Sequence, residues 1–280
     1  VNDAGNQIEK FGCSLEARYL QIFKGDEIEF PEDGYQGEDI KDLAKEYADL
    51  NGDSLVNVSA EERKKALVDY ALPKNIKKMQ ADMEKYKIFY DKWFFESELH
   101  KSGAVKAVVD LLTKKGLTYE KEGAVWYKNK EVLTQKLLKE GKSQKYIDNL
   151  ELKDDVLIRQ NGNPTYFTAD IAYHKNKFDR GFTTLIDVWG ADHHGHVMRM
   201  KGAMDAIGYD GDKLNVVLMQ LVKLVKDGEL VKMSKRTGKA IQLGDLLDEV
   251  PVDSARFLFN TKEANTQMDF DLDLAVSQDN

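Results

Sequence analysis

From residue 88 onward the chain alternates short apolar runs with amphipathic stretches, and that alternation restricts its fold more than any other feature. Thr183-Thr184-Leu185-Ile186-Asp187-Val188-Trp189 is β-branched and apolar and stops at Gly190. A helical period follows from about residue 194 to 207, and an apolar run then fills 215–226. Strand, helix and strand in that order predict a parallel pair joined by a helical crossover. Further strands are expected at 88–95, 124–127 and 156–159, with helices at 103–115, 166–178 and 252–260. The expected fold class is therefore α/β, with a doubly wound parallel sheet. Residues 130–150, rich in Lys, Leu and Gln, read as a helical hairpin insertion. The first 87 residues read as mostly helical: 3–24 capped by Asn2 or Asp3, 38–50, and 59–86. Ser59 and Glu62 make a capping box there, and Pro73 is expected to kink or divide the last helix.

Charge and cysteine content narrow the function classes. Against 41 basic side chains stand 49 acidic ones, a net charge of -8, which is unlike a dedicated nucleic-acid binder but leaves room for a local basic patch. The single cysteine, Cys13, excludes an internal disulfide and fits a reducing cytoplasm. No apolar run approaches the ~20 residues of a membrane span. Val1 opens the chain without Met and Ser277-Gln278-Asp279-Asn280 closes it without a tail, so both ends read as cut.

Three stretches concentrate chemistry. Trp189-Gly190-Ala191-Asp192-His193-His194-Gly195-His196 lies where a strand ends and a helix begins, the place where open α/β sheets bind ligands. Gly190 admits close backbone approach, and the helix N-terminus favours negative charge. The three histidines are open to three readings: a metal site, a packed or capped set, or a nucleotide or substrate site. A metal lacks support, because no Cys and one nearby carboxylate, Asp192, accompany them. The second stretch runs from Pro164 to His174. Tyr166 and Asp170 are four apart and share a helix face. A hydroxyl beside a carboxylate suits a guanidinium or ammonium, although a plain surface pair has the same spacing. The third is Val231-Lys232-Met233-Ser234-Lys235-Arg236, after a hairpin-like run through Asp227-Gly228. Lysines on such a loop act as flexible point charges for phosphate oxygens; the alternative is a basic surface turn.

Other nucleotide-binding patterns fail. A phosphate loop of the G-x-x-x-x-G-K-[ST] form needs Gly where Met233 stands and a hydroxyl where Ala240 stands. No G-x-G-x-x-G run follows a strand, which removes the dinucleotide-dependent dehydrogenases.

The lysine loop resembles the KMSKS signature of class I aminoacyl-tRNA synthetases, with Arg236 in place of the last Ser. With Val1–Ile8, Asp91–Phe94, Gly123–Trp126, the Tyr166–Tyr173 segment, Asp187–Gly195 and Asp269–Ala275 in that order, the chain resembles the bacterial arginyl-tRNA synthetases over nearly its whole length. The resemblance implies a Rossmann-type class I catalytic core, incomplete here, with activation of L-arginine by ATP and Mg2+ and transfer to tRNA(Arg). It implies that Tyr166, Asp170 and His193 bind arginine or its adenylate and that Lys232, Lys235 and Ser234 act on the pyrophosphate. Gly190, Asp192, His194, Val231 and Met233 fall at the ATP site. No structural metal and no membrane are implied, and the parent enzyme is expected to be a cytoplasmic monomer. His193-His194-Gly195-His196 also fits H-x-G-H, the shape of the "HIGH" signature, but lies only 36 positions before Lys232, too late in the fold order.

On this reading residues 1–87 are a remnant of the first Rossmann half plus an insertion. Residues 88–262 are the core, with an insertion at about 117–155, and 263–280 begin the connection to an anticodon-binding domain. A core without "HIGH" is expected to be inactive alone. The alternative is a non-catalytic synthetase-like tRNA-binding or regulatory domain, which could lack that signature naturally.

Overall fold

Six residues of apolar and β-branched chain form β4 (Leu185–Gly190), and β5 (Leu214–Met219) lies parallel to it, Leu185 opposite Leu214 and Gly190 opposite Met219. The crossover between them is α9 (His194–Ile207). This is the expected strand–helix–strand unit. The structure, a computed structural model, describes residues 1–231 and 242–277. Two compact units are built from interleaved segments, one from 1–94, 222–262 and 268–280, the other from 95–221 and 263–267.

The second unit holds β4, α9 and β5. It begins with α4 (Glu96–Lys101) and α5 (Ala104–Lys114). A hairpin of β1 (Thr118–Lys121) and β2 (Ala124–Tyr127) follows, and β3 (Asp155–Ile158) extends it into an antiparallel sheet of order β1-β2-β3. Between β2 and β3 stand α6 (Asn129–Lys139) and α7 (Gln144–Asp148), the helical insertion expected at 130–150. Then α8 (Tyr166–Asp179) leads to β4. Met200, Ala203 and Met204 of α9 are buried, as are Leu185 and Leu214 of the parallel pair. Gly202 allows α6 to come close, since a Cβ there would lie 2.6 Å from the Leu133 side chain. Alternate residues of the parallel pair face inward, so one face of it is packed and the other is open.

The first unit packs α1 (Asn6–Lys24), α2 (Glu38–Asn51) and α3 (Ala60–Lys85) around Leu15, Tyr19, Ile40, Ala44 and Leu67. Buried Arg63 organises their junction. Its guanidinium donates to the carbonyls of Leu55, Val56 and Val58 and to the Glu16 carboxylate. The same unit holds β6 (Val222–Lys226), flanked by antiparallel β7 (Glu229–Leu230) and parallel β8 (Met268–Asp271). These strands carry α10 (Leu243–Glu249), α11 (Val252–Phe259) and α12 (Leu272–Val276) around Leu224, Val250, Ala255 and Phe270.

Four expectations are corrected. Residues 88–95 form no strand: the aromatic run has β propensity, but among the described residues no strand pairs with it, and Phe89 and Tyr90 are exposed. The run 215–226 is two strands, not one. It breaks at Gln220, whose N–H turns aside to the Ala264 carbonyl, and β5 and β6 join different sheets. The first helix is capped at Gly5, with φ 80°, rather than at Asn2 or Asp3. Pro73 does not divide α3, which runs unbroken through it, with Ala71 and Ile76 buried on either side. The Ser59 hydroxyl does accept the Glu62 N–H, at 3.2 Å.

Candidate functional site

The start of α8 is tied to β3 by two hydroxyls. Thr165 donates to the Val156 carbonyl and Thr168 to the Leu157 carbonyl, each at 2.8 Å. The helix period then buries Phe167, Ile171 and Ala172 and leaves Tyr166 and Asp170 on the outer side, one turn apart. Tyr166 is exposed and the Asp170 side chain is 44% exposed, so both can meet a ligand from solvent.

Asp170 is held at both its side chain and its backbone. Its Oδ2 lies 3.1 Å from His196 Nε2, on the first turn of α9. Its carbonyl lies 2.7 Å from Nδ1 of His174, one turn further along α8. The other ring nitrogen of His174 bonds the Asp187 carboxylate in β4. Lys177 donates to the second oxygen of Asp187 at 2.7 Å. Burial pushes the Asp187 carboxyl up, but His174 and Lys177 together outweigh it and hold the group below the ordinary carboxylate range.

Trp189, two residues along β4, gathers the histidines. Its ring lies 5.3 Å from that of His196, 6.2 Å from His174 and 6.3 Å from His193. His196 and Phe167 also meet edge to face, with ring centres 5.6 Å apart. One turn along α9, Arg199 lies over the same Phe167 ring and grips both oxygens of Asp155 in β3. Burial pushes the Asp155 carboxyl up and Arg199 draws it only partly back.

After Gly190 the chain makes a single tight turn at 191–193, and His193 caps α9 without a side-chain bond. Gly190 has φ −65°, which any residue adopts. What a side chain would meet there is the end of Asp192, 2.5 Å from an added Cβ. Asp192, His193 and His194 are exposed around the helix N-terminus. His193 faces Asp192 at 3.7 Å while His196 faces Asp170, so these two histidines take different partners. Among the described residues no three His, Cys, Asp or Glu side chains gather to hold a metal ion.

Tyr166, Asp170, Gly190, Asp192, His193 and His194 thus all belong to one compact unit. Val231 belongs to the other, where its N–H bonds the Leu224 carbonyl at 2.9 Å and extends the β6–β7 hairpin. Lys232, Met233, Ser234 and Lys235 lie outside the described residues.

The family profile "tRNA synthetases class I (R), catalytic domain" matches residues 38–278. The chain belongs to that class I arginyl-tRNA synthetase family. An arginine–tRNA ligase of Ruminiclostridium cellulolyticum is 55% identical over 282 residues, which cover 100% of this chain and 47% of the relative. One from Caldanaerobacter subterraneus is 56% identical over 281 residues, with the same coverage of 100% and 47%. A solved Campylobacter jejuni structure assigned as an arginyl-tRNA synthetase superposes with a TM-score of 0.82 at 36% identity, covering 100% of this chain and 57% of that one. The Thermus thermophilus arginyl-tRNA synthetase, at 17% identity and a TM-score of 0.63 over 95% of this chain and 52% of its own, shares the fold. The chain spans about half the length of the curated relatives it matches. The α/β core, with its parallel β4–α9–β5 unit, is the incomplete Rossmann-type catalytic core of this family.

Sequence reasoning missed the residues that hold Asp170 in place. His174 could have been found, because it stands four residues after Asp170 on one helix. Asp187 also left a signal, as a lone carboxylate at an inward position of an apolar strand. His196 was read only as one of three clustered histidines, and no local spacing links it to Asp170, 26 residues away.

Proposed function

We propose that this chain is the amino-acid-activating part of an arginine–tRNA ligase. The carboxylate of L-arginine attacks the α-phosphorus of ATP, forming arginyl-adenylate and releasing pyrophosphate; the arginyl group then passes to a terminal ribose hydroxyl of tRNA(Arg). The observation that carries this reading is Asp170, a half-exposed carboxylate on the same helix face as Tyr166, in a chain 55% identical to an arginine–tRNA ligase along its full length. A carboxylate accepts the guanidinium fork through two parallel bonds, which an ammonium cannot reproduce.

In this reading Asp170 and Tyr166 take the guanidinium and His193 stands near the amino acid and adenylate. Gly190, Asp192 and His194 border the ATP, with Val231 and Met233 toward the adenine. Lys232, Lys235 and Ser234 meet the departing pyrophosphate, whose charge grows in the transition state. Mg2+ arrives with the ATP phosphates as part of the substrate. The reading places the protein in the cytoplasm as a monomer. It takes residues 1–87 as the remnant of a first Rossmann half plus a helical insertion and 263–280 as the lead into an anticodon-binding domain. No helix among the described residues is long and apolar enough to cross a membrane.

The test is amino-acid-dependent ATP–pyrophosphate exchange, with and without tRNA, in the protein at the full length of its relatives. Arginine alone should support exchange, and Asp170→Asn should weaken arginine use by about 2–4 kcal/mol with little change in the KM for ATP. Exchange with another amino acid, or an unchanged arginine KM and kcat in the variant, overturns the reading. Binding of tRNA without any exchange would favour a non-catalytic role.

A further inference from the structure

The contact between α9 and Asp170 has a consequence for specificity. His196 Nε2 lies 3.1 Å from Asp170 Oδ2. A carboxylate only accepts, so Nε2 carries the proton and donates it. The His196 ring has little freedom to do otherwise: its side chain is 17% exposed, with the ring centres of Trp189 and Phe167 5.3 and 5.6 Å away. Phe167 is itself pinned under Arg199, whose charge is taken up by Asp155. Asp155 also feels His196 through space, but among the described residues the one hydrogen bond of the His196 ring goes to Asp170. Among the described residues Asp170 Oδ1 makes no hydrogen bond.

We propose that His196 is a positioning residue for arginine recognition: it fixes the plane of the Asp170 carboxylate so that the carboxylate meets a guanidinium fork edge-on. The proposal rests on reading Asp170 as the guanidinium partner. A carboxylate offers four lone-pair directions, so one bond from His196 leaves enough for two parallel bonds from the ligand. What the bond removes is rotation about the Cβ–Cγ axis. A compact ammonium gains nothing from a fixed plane, because it is a point charge; a planar guanidinium does, because both of its bonds must form together. His196 thereby favours arginine over lysine without touching the ligand. His174 adds a second restraint through the Asp170 carbonyl, so both ends of the residue are held.

The experiment compares His196→Ala, His196→Gln and Asp170→Asn in the full-length protein by pyrophosphate exchange, with lysine as competitor. Loss of a hydrogen bond to a charged group is worth about tenfold or more. His196→Ala is expected to raise the arginine KM by about tenfold, to narrow the preference for arginine over lysine, and to leave the KM for ATP and the melting temperature unchanged. His196→Gln, which returns an N–H near the same place, should recover most of the loss. If Asp170→Asn impairs arginine use but His196→Ala does not, the positioning role is wrong and the arginine site stands. If neither variant affects arginine, the reading of Asp170 fails and this proposal with it. A rise in both KM values with a lower melting temperature, unrescued by Gln, would make His196 a packing residue and overturn the proposal.

Discussion

Asp187 shows how a single residue can tie the site to the core. It is 8% exposed in an otherwise apolar strand, and each of its oxygens has a cationic or proton-bearing partner, Lys177 and His174. Removing one member of such a group leaves the others buried without compensation. Asp187→Asn is expected to destabilise the fold by about 3–5 kcal/mol, read from urea unfolding. Asp187→Leu should cost no more than that if Lys177 can reach solvent, since an apolar side chain adds no unsatisfied oxygen. The pH dependence follows from the depressed carboxyl. A group whose folded value lies below its unfolded value gives stability that is complete above the ordinary carboxylate range and is lost as pH falls through the depressed value. Acid titration of the wild type should therefore show a loss of stability below pH ~4 that Asp187→Asn lacks. An identical acid limb in both proteins would rule out Asp187 as its source.

Among the elements, those set by local periodicity were readable in advance and those set by distant pairing were not. Both α8 and α9 fall where the helical period puts them, and Tyr166 and Asp170 share a face because helix geometry requires it. The strand expected at 88–95 failed because a strand also needs a neighbour, which composition does not specify. The break at Gln220 was hidden for the same reason: its cause is the Ala264 carbonyl, 44 residues on. Equally, the partners of Asp170 and Asp187 come from other elements. Arg63 makes this dependence testable in the helical part of the first unit, where one guanidinium serves α1, α3 and the turn between α2 and α3. Arg63→Ala leaves the Leu55, Val56 and Val58 carbonyls and Glu16 without their donor, and should cost about 3–5 kcal/mol. Arg63→Lys should recover only part, since an ammonium cannot span three carbonyls and a carboxylate as a planar fork does. Thermal melts of the two variants separate these outcomes. A Lys variant as stable as wild type would show that charge rather than geometry holds the turn.

For the molecule as a whole, the open face of the β4–β5 pair decides how the chain behaves in solution. Ile186 and Val188 of β4 are 68% and 62% exposed, and Val217 and Met219 of β5 are 37% and 42% exposed, all on the face opposite Leu185 and Leu214. Parallel strands occur almost only with both faces covered. Among the described residues the sheet has two strands, so each also presents a free edge, and a free edge beside apolar side chains is a template for association. The net charge of -8 opposes collision between copies but is long-range and screened by salt, whereas the apolar face acts at contact. The purified 31.9 kDa chain is therefore expected to self-associate with rising concentration, and more so with added salt, in light scattering or sedimentation. Replacing Val188 and Val217 with lysine puts two like charges opposite one another on that face, which repels a second copy while leaving the packed side untouched. The double variant should stay monomeric at concentrations where the parent does not, with a melting temperature lowered modestly by the like charges across the pair. If it associates as strongly as the parent, the contact lies elsewhere on the molecule; if both are monomeric throughout, the exposed face is too small to drive association.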